Sequence, residues 1–112
     1  MSKFAEAIET YKEQVAELGL GISEDLLTAV AKGLGPSIYN ADSSKVSSSD
    51  PEELARVKNN FLIGKLGLTD SPALDAAIDE VVEKLGSSNR NKYRAVVYAL
   101  LVIKFGKEDL YA

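Results

Sequence analysis

The chain has 112 residues, with 13 lysines and arginines against 17 aspartates and glutamates, for a net charge of −4. It contains no cysteine and no histidine. Disulfides and thiolate metal sites are therefore excluded, and so are the usual general base at neutral pH and the usual partner of a nucleophilic serine. Its hydrophobic content of 46% and charged content of 27% are those of a globular protein. The length suits one domain over residues 1–112, which by surface scaling would expose about 6,000 Å² and bury one core.

Phe4, Ile8, Tyr11, Val15 and Leu18 recur at helical spacing and predict a first amphipathic helix, with Glu6, Glu9, Glu13 and Glu17 on its other faces. Gly19 and Gly21 close it, and Leu20 and Ile22 can tuck into the core. Ser23 is the expected N-cap of a second helix, whose buried face is Leu26, Leu27, Val30 and Leu34, and Gly33, Gly35 and Pro36 end it. Residues 36–50 have no clear period. Ile38 and Tyr39 are expected to fasten this loop to the core, and the five serines between Ser43 and Ser49 suggest a mobile stretch.

A third helix starts at the N-cap Asp50, with Pro51 at N1 and Glu53 at N3 completing an acidic capping box. Leu54, Val57, Phe61, Leu62 and Leu66 form its inner face, and Gly67 terminates it. A fourth starts at Ser71 and Pro72, buries Leu74, Ile78, Val81, Val82 and Leu85, and stops at Gly86. The fifth is expected over 89–105, ending at Gly106. It is apolar almost all round from Ala95 to Ile103, so it belongs at the centre of the molecule. A strand is the alternative for this run, but no second strand exists to pair with it. The expected fold is all-α, a compact five-helix bundle with the C-terminal helix central.

Three segments carry a likeness to known proteins: Gly33-Leu-Gly-Pro-Ser-Ile-Tyr-Asn-Ala-Asp42, Asn60-Phe-Leu-Ile-Gly-Lys-Leu-Gly-Leu68, and Ser88-Asn-Arg-Asn-Lys-Tyr-Arg-Ala-Val-Val-Tyr-Ala-Leu-Leu101. Together they resemble a family of short bacterial proteins classed as a domain of unknown function. The resemblance covers essentially the whole chain. It implies a bacterial, all-helical, single-domain protein, and it carries no activity, cofactor or site residue with it.

Charge is unevenly spread. Residues 1–86 hold 15 acids and 8 bases, whereas residues 87–112 hold 2 acids and 5 bases. Overall acidity argues against general nucleic-acid binding, which draws its affinity from phosphates. Glu6, Glu9 and Glu13 interrupt any apolar signal core at the start, and the run Ala95 to Ile103 is shorter than the roughly 20 residues a membrane helix needs. The protein is expected to be cytoplasmic.

Arg90, Lys92 and Arg94 crowd the expected first turns of the fifth helix, where cations oppose the helix dipole. Either acids from the first and fourth helices compensate them internally, or they hold an external anion. Tyr39 and Asn40 in the irregular loop are a second candidate surface, against the simpler reading that Tyr39 is a core anchor. Phe61 to Asp75 has the cadence of a helix-turn-helix, but Asp75, Asp79, Glu80 and Glu83 on its second helix would repel DNA. Asn40, Asp42 and Ser44 are spaced like calcium ligands, yet Lys45 and Pro51 stand where that loop needs glycine and glutamate. No phosphate loop, nucleophile elbow or dinucleotide fingerprint is present.

The reading that follows is a small bacterial protein–protein interaction module with no catalysis and no cofactor, binding an unidentified protein partner by charge complementarity. The alternatives are a small-anion or nucleotide-binding regulatory domain at Arg90, Lys92 and Arg94, and an enzyme relying on carboxylates.

Overall fold

The first apolar stripe folds as α1 (Lys3–Leu18), with Ile8 and Tyr11 buried and Phe4 and Val15 packed partly against the core. The structure, a computed structural model, describes residues 3–40, 44–47, 49–86, 89 and 91–111. After α1, Gly19 takes φ 62°, a left-handed value that glycine reaches without a Cβ penalty, and the turn delivers Leu20 and Ile22 into the core. α2 (Glu24–Leu34) starts on Ser23, whose Oγ accepts from the Leu26 N–H at 3.2 Å. A 3-10 turn, Gly35–Tyr39, follows it.

α3 (Pro51–Arg56) opens on Asp50, which accepts from the Glu52 N–H at 3.0 Å. It continues without a break into a π-helix, Val57–Ile63. Gly64 N–H donates to Asn59 O at 3.1 Å and Leu66 N–H to Phe61 O at 2.9 Å, each five residues back. The apolar spacing accounts for the wider turn. Val57, the pair Phe61 and Leu62, and Leu66 are separated by about 4.5 residues, and a loosened helix faces all four inward. α4 (Pro72–Leu85) buries Leu74, Ile78, Val81, Val82 and Leu85 as expected.

α5 (Arg94–Lys104) lies at the centre. Every residue from Ala95 to Val102 is buried, and the helix packs on α1, α2 and α4. Among the described residues the fold is therefore all-α, with five α-helices of which the C-terminal one is central, as the hydrophobic patterning predicts. Among the described residues β pairing amounts to one isolated antiparallel bridge, between Lys45 and Tyr93.

That bridge corrects two expectations. α5 begins at Arg94, not near 89, because residues 92–94 are drawn out to meet the loop. Val46 N–H donates to Lys92 O and Arg94 N–H donates to Ser44 O, both at 2.8 Å. Asn89 instead closes α4, donating from Nδ2 to Leu85 O at 3.0 Å and accepting from Asn91 N–H at 2.9 Å. The serine-rich stretch, expected to be mobile, is fastened at residues 44–46, where Val46 is buried in the core; its Ser43 and Ser48 lie outside the described residues.

The anchoring of the preceding loop also differs from expectation. Ile38 is buried, but Tyr39 is 46% exposed. At the C-terminus a short 3-10 turn, Glu108–Tyr111, packs Tyr111 back against Gly33 and leaves Leu110 outside.

Candidate functional site

The cations expected at the start of the fifth helix form the first candidate surface, and the structure turns the described ones inward. Arg94, at the first position of α5, has a side chain only 13% exposed. Its Nη2 pairs with Glu53 Oε1, and its Nη1 donates to the Tyr98 hydroxyl at 2.9 Å. Burial would lower the guanidinium pKa, but Tyr98 and Glu53 together hold it above its ordinary value. Arg56 completes the group, donating from Nη2 to Glu53 Oε2 at 2.9 Å. The Tyr98 ring stacks on Phe61 with centroids 3.8 Å apart, so the π-helix builds one wall of this charged cluster.

Two expectations are corrected here. Glu53 is not the reciprocal half of a capping box. It is buried, and its carboxylate serves Arg56 and Arg94. The acid that compensates the start of α5 therefore comes from α3 rather than from the first or fourth helix. A cation at a helix N-terminus is tolerable because a carboxylate lies against it in a partly dry site.

Lys92 is also no surface cation. It is 3% exposed, and its Nζ donates to Asn89 O. Arg90 lies outside the described residues, as does Asp42 of the calcium-like spacing. Tyr39 and Asn40 are both exposed, and they remain an accessible pair on the loop after α2. Tyr39 lies near enough to Tyr11 to act on it. Burial first, then Tyr93 and Tyr39, push the Tyr11 phenol up to about 12. Tyr11 in turn meets Tyr93 with ring centroids 5.2 Å apart.

Gln14 is a residue that the sequence patterning does not single out. It sits between Tyr11 and Leu18 on the apolar stripe of α1, and that periodicity is the available signal that its amide is covered. Its Nε2 donates to Asn91 O at 2.6 Å, tying α1 to the segment before α5, while its Oε1 is buried without a donor. Lys58 is another. It bridges Asp70 at 3.0 Å and Asp75 at 3.3 Å, pinning the turn before α4.

The outer surface is acidic. Glu6, Glu13 and Glu17 of α1 and Asp79 and Glu83 of α4 are exposed and form no ion pair among the described residues. The described residues contain no group of three or more carboxylates placed to hold a metal ion, and no helix long and apolar enough to cross a membrane.

An all-α core closed by an internal Glu53–Arg94 pair, with an acidic exterior, defines a small helical domain whose accessible chemistry is on its surface. The chain belongs to the family described as "Protein of unknown function (DUF2853)", whose model matches residues 9–109. No curated protein matches it.

Proposed function

We propose that the protein is a small binding module without catalysis of its own, which sets the acidic face of α1 against a basic partner protein. The observation that supports this most directly is the sorting of charge. Glu6, Glu13 and Glu17 stand exposed without ion pairs among the described residues, whereas Lys92 and Arg94 are engaged inside. An anion at the start of α5 would have to compete with Glu53 for Arg94, so the acidic face is the favoured surface. Complementary potentials of this kind steer encounter and exclude like-charged partners, nucleic acid among them. In this reading the protein works in the bacterial cytoplasm.

The test is capture from nuclease-treated extract by the wild type and by Glu6→Lys/Glu13→Lys/Glu17→Lys, once circular dichroism shows the variant keeps its helix content. The expected result is a basic protein held by the wild type, released by about 0.5 M salt, and absent from the variant. The same proteins captured by both forms would overturn the reading.

A further inference from the structure

A cleft of about 440 Å³ opens between the second half of α1 and the stretch joining α4 to α5. Glu13, Gln14 and Glu17 line it from α1, and Asn89, Asn91 and Tyr93 line it from the other side. Two exposed carboxylates on a helix would not make a site, because a solvated acidic face is ordinary. Gln14 supplies the independent observation. The residue is 9% exposed, and its Oε1 is buried with no hydrogen-bond donor. The amide cannot be reversed to remove the problem, because Nε2 is committed to Asn91 O at 2.6 Å. Buried acceptors are almost always satisfied, and one left unpaired is costly.

Gln14 Oε1 therefore lacks a donor, while Glu13 and Glu17 on the cleft wall supply negative charge. The missing group is one that brings N–H bonds and positive charge together. An acceptor in need of an N–H donor beside two exposed carboxylates calls for an organic cation.

We propose that this cleft binds a guanidinium or primary ammonium head group, which donates to Gln14 Oε1 and is held by the charge of Glu13 and Glu17. The inference deepens the docking reading and rests on it for the source of the cation, a basic side chain of the partner. A free polyamine carries the same chemistry, and the experiment separates the two.

The experiment is isothermal titration of the full chain, at low salt, with N-acetyl-arginine methylamide and with spermidine. Saturable one-to-one binding is expected. Gln14→Leu should weaken it by about tenfold, the loss of one charge-assisted hydrogen bond. Glu13→Gln/Glu17→Gln should weaken it by at least as much. This second variant changes only exposed side chains, so it keeps the test decisive if Gln14→Leu does not fold.

Binding of the arginine probe alone assigns the cleft to peptide side chains, and binding of spermidine alone assigns it to free polyamines. Both support the site. No heat from either probe overturns it, and so does binding seen only after Arg90→Ala, which would make the chain's own arginine the occupant. If neither probe binds but the α1 charge reversal still abolishes partner capture, the cleft proposal fails and the docking reading stands. If a probe binds but no macromolecule is captured, the cleft stands and the docking reading fails.

Discussion

Arg94→Met separates an internal arginine from a ligand-binding one. The substitution keeps an apolar stem of similar length and removes the charge facing Glu53. Breaking a buried ion pair from one side costs about 3–5 kcal/mol, because the remaining charge stays buried without its partner. Glu53 keeps Arg56, but the Arg56 side chain is 56% exposed and compensates only in part. The Tyr98 hydroxyl also loses its 2.9 Å donor. The expected loss is therefore near the lower end, about 3 kcal/mol, which lowers a urea midpoint by roughly 1.5–2 M at a slope of about 1.5–2 kcal/mol per M.

Urea unfolding followed by far-UV circular dichroism measures it directly. The double variant Glu53→Leu/Arg94→Met should lose less than Arg94→Met alone, because no uncompensated carboxylate remains. A loss under about 1 kcal/mol for Arg94→Met, of the size expected for a solvated surface pair, would refute the reasoning. Strict additivity of the two single variants would do the same, and either result would make Arg94 a surface cation again.

Gly64→Ala should destabilise, although alanine normally improves a helix, because the added Cβ would lie 2.7 Å from the Asn60 carbonyl oxygen in the widened π turn. A loss of about 1 kcal/mol or more in urea unfolding is expected, and a gain would mean that the π geometry is absent. Ile38→Ala should cost about 2–5 kcal/mol, while Tyr39→Ala stays within about 1 kcal/mol; equal losses in paired thermal melts would contradict the exposure of Tyr39. Stability should also fall as pH rises from 10 toward 12. The unfolded chain releases the Tyr11 proton near 10, whereas the folded one holds it to about 12, so the contribution is intact below 10 and is lost across that window. Tyr11→Phe should flatten this part of the profile of unfolding midpoint against pH, and an unchanged slope would show that other groups cause it.

Much of this fold was readable from the chain because its causes are local. A stripe such as Leu74, Ile78, Val81, Val82 and Leu85 can be buried only on a helix, and Ser23 and Asp50 cap the helices they precede through bonds two or three residues long. The run Ala95–Val102 could only be central, since a helix apolar on every side must be covered on every side. The absence of histidine and cysteine likewise narrowed the chemistry without any coordinates.

Tertiary structure decided the rest, because the deciding partners are far apart in sequence. Asn89 and Arg90 suit a helix start by local propensity, yet α5 waits until Arg94, since Val46 and Ser44 take the backbone groups of residues 92–94. Glu53 fits a capping box three residues from Asp50, but a partly buried arginine 41 residues away takes its carboxylate, and the Asp50 N–H donates to Ser47 O instead. Gln14 looked like one polar residue on an amphipathic helix, and only the crossing of α1 over the segment before α5 covers its amide and orphans its oxygen. Periodicity determines which face of each helix is buried. Where two charged side chains meet across that buried space depends on how the helices cross, and no short-range rule contains that information.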